Sequence, residues 1–254
     1  MNRIKIITLF SGYDSQCLSL DRLKQYAPEF DYELVAWCEI EDAAIQAHNA
    51  LFPQWQDRNI GDITKVDANA LPDCDLITWS FPCTDISQAG LQAGLSKDSG
   101  TRSSLAWDAI RIFEAKRPKY LLMENVAALV SKKFIKDYHK ILKALEDIGY
   151  TTFTKVLNAK DFCIPQNRER VFGVSILRTG EDSMPKYHFP EPRPLEVCLA
   201  DVLEEDVDEK YFLSDEMLAR FCEKSLEEES SCGETQGSMA EDGEIDFEDF
   251  FVAQ

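Results

Sequence analysis

The chain lacks any apolar run approaching the roughly 18 to 20 residues of a membrane helix. Its start, Met1 to Phe10, carries only a short apolar stretch before Ser11 and Gly12. No membrane span and no secretory leader are expected, which points to the cytoplasm. Histidine is scarce, and His48, His139 and His188 stand far apart with no carboxylate pattern around them. Cysteine is more abundant, but its eight positions (17, 38, 74, 83, 163, 198, 222 and 232) contain no Cys-x-x-Cys pair. No structural zinc site is therefore expected, and no metal. A chain of 254 residues buries enough core to need no disulfide staples, so scattered cysteines fit a reducing compartment. There is no internal repeat.

Positive charge is the other deficit. Lys and Arg number 27 against 46 Asp and Glu, a net charge of −19. The imbalance is local: residues 1–200 hold 24 bases and 27 acids, whereas residues 201–254 hold 3 and 19. A near-neutral body can still present a basic face to phosphates, while a block of like charge reads as a solvated appendage. From Leu226 to Gln254 there are ten acids and no base, so disorder, or order only on a partner, is expected there. The chain accordingly divides into a body, 1–200, and an acidic C-terminal segment, 201–254.

Within the body, short β-branched runs alternate with helical spacing, the pattern of a doubly wound α/β domain around a mostly parallel sheet. Strands are predicted at Arg3–Phe10, Tyr32–Trp37, Asp75–Trp79, Lys119–Met123 and Arg170–Leu177. Helices are predicted at Gln16–Tyr26, Asp42–Leu51, Ser104–Ala115 and Phe134–Ile148, the last stopped by Gly149. Pro190, Pro192 and Pro194 then break regular structure.

Four stretches fall where such a domain places chemistry, at the carboxyl ends of its strands. The first strand runs into Phe10-Ser11-Gly12-Tyr13-Asp14-Ser15, and Glu39 closes the second. A glycine there allows close approach of a ligand, and a carboxylate there can accept from two ribose hydroxyls. An ordinary strand-to-helix turn would look the same. Asp14 disfavours a pyrophosphate but is tolerable beside a cationic ligand. Next comes Ser80-Phe81-Pro82-Cys83-Thr84-Asp85, where a stiffened loop would aim a nucleophilic thiol, or where a structural cysteine is simply buried. The long segment after it carries Gly90, Gly94 and Gly100, as functional lids often do. Glu124, in Met123-Glu124-Asn125-Val126, would act as an acid if burial raised its pKa, or would cap a helix near Ala127. In Pro165-Gln166-Asn167-Arg168-Glu169-Arg170, alternation puts Gln166, Arg168 and Arg170 on one face, suited to phosphate or carbonyl recognition or to structural ion pairs.

In this order the elements resemble the cytosine-C5 DNA methyltransferase family, from Ile6 to about Leu213. The most specific parts are Pro82-Cys83, Glu124-Asn125-Val126 and Gln166-x-Arg168-x-Arg170, supported by Ser99-Gly100-Thr101-Arg102, Leu105, Arg117-Pro118-Lys119 and Asn158 to Pro165. The resemblance implies a Rossmann-like class I methyltransferase fold, S-adenosyl-L-methionine as cofactor and double-stranded DNA as partner, in the setting of restriction and modification. It implies that Cys83 attacks C6 of a flipped cytosine, that Glu124 bonds or protonates N3, and that Arg168 and Arg170 hold the base carbonyl and backbone. It implies cofactor contacts at Phe10, Gly12, Tyr13, Glu39, Ile40, Asp62, Ile63, Pro82 and Leu105, with Glu39 on the ribose and Asp62 on the adenine amino group. The pattern of the first motif departs from the family's at Thr8, where the family has an acid, and at Asp14 and Ser15, where it has glycines. A target-recognition region and the last family motif are not found, so a truncated or half enzyme with a second chain supplying that region is expected. An RNA cytosine-C5 methyltransferase and a non-catalytic cofactor-binding subunit are the alternatives.

Overall fold

The computed structural model describes residues 3–82, 102–180 and 184–220. Cys83, the glycine-bearing segment after it and the stretch from Leu226 lie outside the described residues, and so do the expectations placed on them. The chain divides into two compact units, Met1–Asp201 and Val202–Gln254. The second, as far as it is described, has a 3-10 turn at Glu209–Tyr211 and helical residues from 215 to 220.

The first unit alternates strands and helices: β1 (Ile4–Leu9), α1 (Ser15–Tyr26), β2 (Tyr32–Cys38), α2 (Asp42–Leu51), β3 (Leu76–Trp79), α3 (Ala106–Lys116), β4 (Tyr120–Val126), α4 (Ile135–Asp147), β5 (Tyr150–Asn158) and β6 (Glu169–Leu177). They form one six-stranded sheet in the order β2-β1-β3-β4-β6-β5. The four predicted helices and five predicted strands are present. The sixth strand, β5, is additional to the pattern read from the sequence. Its residues Tyr-Thr-Thr-Phe-Thr-Lys-Val-Leu-Asn are rich in β-branched side chains, but it lies at the sheet edge, where burial does not alternate and the period-2 signal is weak.

Apolar side chains emerge on both faces of β1, as a strand covered on both sides requires. Ile6 packs with Leu34, Cys17 of α1 and Phe52 beyond α2. Ile7 and Leu9 pack with Ile77, Trp79, Leu121 and Met123, in the cluster that takes in Ile112 and Phe113 of α3 and Ile141 and Leu145 of α4. Helices thus cover both faces, and the expected doubly wound, mostly parallel α/β fold is the one observed.

Two features of this topology place the site. The chain leaves β1 for β2 on one side and reaches β3 on the other, so the carboxyl end of β1 opens a crevice at a switch point. In addition, β6 runs antiparallel to β4, pairing Val126 with Arg170. The start of β6 therefore lies at the same end of the sheet as the finish of β3 and β4. The antiparallel pair docks under α4 where Gly173 faces Met123: a Cβ at Gly173 would stand 3.3 Å from Met123 Cε and 3.4 Å from the Tyr138 hydroxyl. That hydroxyl lies 2.8 Å from Thr154 Oγ1 of β5.

Candidate active site

At the β1–β2 end, the turn after β1 passes through left-handed backbone at Phe10 (φ 57°), Gly12 (φ 57°) and Asp14 (φ 66°). Nothing stands within 4 Å of a Cβ built on Gly12, so the space above the turn is open. Ser11 donates to the Cys38 carbonyl through its backbone N–H (3.0 Å) and its hydroxyl (3.1 Å), closing the turn onto the end of β2. Glu39 follows directly. Its Oε2 accepts from Gly12 N (2.8 Å), and its Oε1 accepts from Ile40 N (2.8 Å) and Glu41 N (3.0 Å). These bonds fix the carboxylate while leaving a lone pair on Oε2 for a hydroxyl donor. Tyr13 and Ile40, 51 % and 62 % exposed, flank it as apolar surface.

Asn59, which the sequence pattern did not single out, clamps this end. Its side chain accepts from Glu39 N (3.2 Å) and Gly61 N (3.0 Å) and donates to the Glu39 carbonyl (3.1 Å). The Cys38 thiol donates to the Gly61 carbonyl (2.9 Å), and its burial pushes its pKa up to about 12. Asp62 caps a 3-10 turn, accepting from Thr64 N and Oγ1 and pairing with Lys65 at 3.0 Å. The Thr64 hydroxyl and the Lys65 ammonium hold its carboxyl below the usual range. Ile63 is buried, and its carbonyl accepts from Arg111 Nη2 of α3 (2.9 Å), a second link without a local sequence signal. Phe10, Ile63 and Leu105 join one apolar cluster, with Leu105 immediately before α3.

Asp14 does not face this space. It is fully buried, caps α1 by accepting from Cys17 N, and accepts from Thr8 Oγ1 at 2.8 Å. Its charge is turned away from any ligand over Gly12, which corrects the expectation that it would meet one.

At the β3–β4–β6 end, a cleft of about 200 Å³ is lined by Ser80, Phe81, Pro82, Glu124, Asn125, Val126, Arg168 and Arg170. Glu124 accepts from Ser80 Oγ (3.3 Å) and pairs with Arg170 Nε (3.1 Å). Asn125, buried beside it, donates from Nδ2 to the Phe81 carbonyl (3.0 Å) and accepts from Val126 N (2.9 Å). This ties the loop carrying Phe81-Pro82, the residues immediately before Cys83, to the end of β4. Asn158 holds the entry to β6: it accepts from Arg168 N (3.1 Å) and donates to Asn167 Oδ1 (2.7 Å). Arg168 is exposed, and its guanidinium has no ion pair among the described residues.

Of the three side chains placed on one face by alternation, Arg168 and Arg170 line the cleft. Gln166 does not, because the chain bends at residues 165–166, where Gln166 N donates to the Ile164 carbonyl (2.7 Å), and extended alternation starts only beyond it. Near Ala127 the structure has a 3-10 turn, Ala127–Val130, with no side-chain cap, so Glu124 is not spent on capping.

The fold and the paired acid–arginine cleft define a doubly wound α/β domain with its site at the carboxyl ends of the parallel strands. A family model described as C-5 cytosine-specific DNA methylase matches residues 4–248, and the chain belongs to that family. Among its relatives, Type II methyltransferase M2.ScrFI of Lactococcus lactis subsp. cremoris is 51 % identical over 162 residues, 64 % of this chain and 44 % of that protein. Type II methyltransferase M.NlaX of Neisseria lactamica is 37 % identical over 213 residues, 84 % of this chain and 64 % of that protein. The chain thus spans about half the length of these relatives. In fold it is similar to the S. pombe Dnmt2 methyltransferase, with a TM-score of 0.61 at 20 % identity, covering 87 % of this chain and 66 % of that one.

Proposed function

We propose that the chain is the catalytic part of a DNA (cytosine-5)-methyltransferase. The observation that carries this reading is the Glu124–Arg170 pair at 3.1 Å in a cleft whose wall includes Pro82, the residue before Cys83.

The nucleoside cofactor fits the β1–β2 end. Glu39 is held by three N–H groups with a lone pair to spare, Gly12 has open space above it, and exposed Tyr13 and Ile40 offer apolar surface to an adenosine. Glu39 would hold the ribose, and Phe10, Gly12, Tyr13, Ile40, Asp62, Ile63, Pro82 and Leu105 would complete the site. Bound there, S-adenosyl-L-methionine supplies an electrophilic methyl group for C5.

The remaining work belongs to the chain's own residues. The Cys83 sulfur, as thiolate with its proton lost to solvent, forms a bond to C6 while the C5–C6 π pair shifts to C4–C5 and the C4–N3 π pair moves onto N3, where Glu124, entering as the carboxylic acid, gives a proton. Arg170 holds Glu124 and reaches the base carbonyl, while Arg168, exposed at the cleft mouth, meets a backbone phosphate. After C5 is methylated, a solvent base takes its proton, the C5–H pair re-forms the C5–C6 double bond, Cys83 leaves as the thiolate, and N3 returns its proton to Glu124. Removing the base from the stack costs a few kcal/mol, which contacts around the cleft must offset. Because the relatives are longer, selection of the target sequence is assigned to polypeptide outside these residues, in a second chain or a further domain.

A duplex carrying 5-fluorocytosine tests the mechanism, because fluorine cannot leave as the proton does. With cofactor present, a protein–DNA species that survives denaturation is expected, and Cys83→Ser should abolish it. Absence of any adduct from a chain that binds both cofactor and DNA would refute the reading.

A further inference from the structure

Position 14 carries two constraints: a left-handed backbone at φ 66°, which Gly, Asn and Asp tolerate better than other residues, and full burial, where a carboxylate must find hydrogen-bond partners. Glycine would meet the first and escape the second. What Asp14 holds in return is the turn beside the nucleoside end of the site. Its Oδ2 accepts from Thr8 Oγ1 inside β1 (2.8 Å), its Oδ1 accepts from Cys17 N in α1 (3.3 Å), and its own N–H donates to the Ser11 carbonyl (2.8 Å). The turn between these anchors contains the Gly12 N–H that donates to Glu39.

A second element reaches the same carboxylate. His48 Nε2 of α2 lies 3.7 Å from Asp14 Oδ2, and the ring is stacked on Trp37 of β2 with centroids 3.7 Å apart. Helix α2 begins at Asp42, three residues after Glu39. One buried carboxylate therefore stands between the helix that follows Gly12 and the helix that follows Glu39. Thr8 and Asp14 are also two of the positions that depart from the family pattern, and here they are hydrogen-bonded to each other.

We propose that Asp14 is a positioning residue for cofactor binding: from behind the crevice it locks the Phe10–Asp14 turn so that Gly12 and Glu39 keep their contact. The inference rests on the cofactor reading above. Calorimetry of the full chain with S-adenosylhomocysteine tests it, alongside thermal unfolding of each variant. Asp14→Gly should weaken binding about tenfold in protein that is fully folded at the assay temperature, equivalent to one lost hydrogen bond to a charged group. Asp14→Asn, which tolerates the left-handed turn and keeps a capping acceptor, should stay within about threefold of the native chain. Thr8→Val, which leaves position 14 intact, should weaken binding in the same direction. A lower Tm with unchanged affinity in both Asp14→Gly and Thr8→Val would overturn the proposal, since a purely structural residue behaves that way. Failure of the native chain to bind at all would instead remove the cofactor reading on which the proposal stands.

Discussion

At the β1–β2 end of the crevice, Glu39 accepts from three backbone N–H groups at 2.8 to 3.0 Å; at the β4–β6 end, Glu124 has one guanidinium at 3.1 Å and one hydroxyl at 3.3 Å. The first carboxylate is fixed by main chain close to it in space, backed by Asn59 and the buried Asp14. Among the described residues the second is held by side chains, from residues 44 positions earlier and 46 later in the sequence, beside an exposed arginine. Backbone donors cannot swing away, whereas the side chains of Ser80 and Arg170 can exchange partners. On the proposed reading this is a division of labour: one end would be preorganised for a ligand of constant shape, and the other would rearrange around a base that must be brought in.

The most severe way to break the comparison is Cys83→Ser, which should reduce methyl transfer below detection while calorimetry still shows native affinity for S-adenosylhomocysteine. Glu124→Gln should come next, with kcat falling by about 10² to 10³, the ordinary contribution of a general acid, and with little change in cofactor affinity. Glu39→Ala acts at the opposite end. It removes a charged acceptor from three donors, and a loss of about 1.5 to 3 kcal/mol corresponds to roughly 10- to 100-fold weaker cofactor binding in a titration.

Asn125→Ala sharpens the comparison through stability. It leaves the buried Phe81 carbonyl without its donor and should lower unfolding free energy by about 1 to 3 kcal/mol in urea melts. The smallest effect concerns Cys38. Burial raises its pKa to about 12, so the folded state favours the neutral thiol; that contribution is intact below the unfolded pKa of about 8.5 and fades as pH rises toward 12. At pH 8, peptide mapping after iodoacetamide should therefore find exposed Cys163 and Cys198 alkylated and Cys38 spared.

The parallel part of the fold was legible because β1 and β3 are buried at consecutive residues and read as apolar runs, and β4 alternates buried and half-buried positions, the three separated by helices with one apolar stripe. The edge strand β5 escaped because its Thr-rich sequence is half-exposed, and periodicity weakens where burial does. Local motifs marked Glu39, Glu124 and Arg170, since each ends or begins a strand. Asn59 and Arg111 had no such mark, and Ser80 lay in a marked stretch without a role of its own, because these contacts exist only once segments 20 to 48 residues apart meet. Asp14 was visible as a residue, but not its direction: the sequence places a carboxylate at the turn, and only the left-handed backbone shows that it points inward.

The central claim, that the β4–β6 end performs covalent chemistry for a cofactor held at the β1–β2 end, is tested most directly by transfer of tritiated methyl groups from S-adenosyl-L-methionine to mixed-sequence DNA. The account predicts label at cytosine C5 that disappears in Cys83→Ser and falls steeply in Glu124→Gln, both variants still binding cofactor. Label incorporated at the native rate by Cys83→Ser, or a folded chain that neither binds cofactor nor labels DNA, would contradict it.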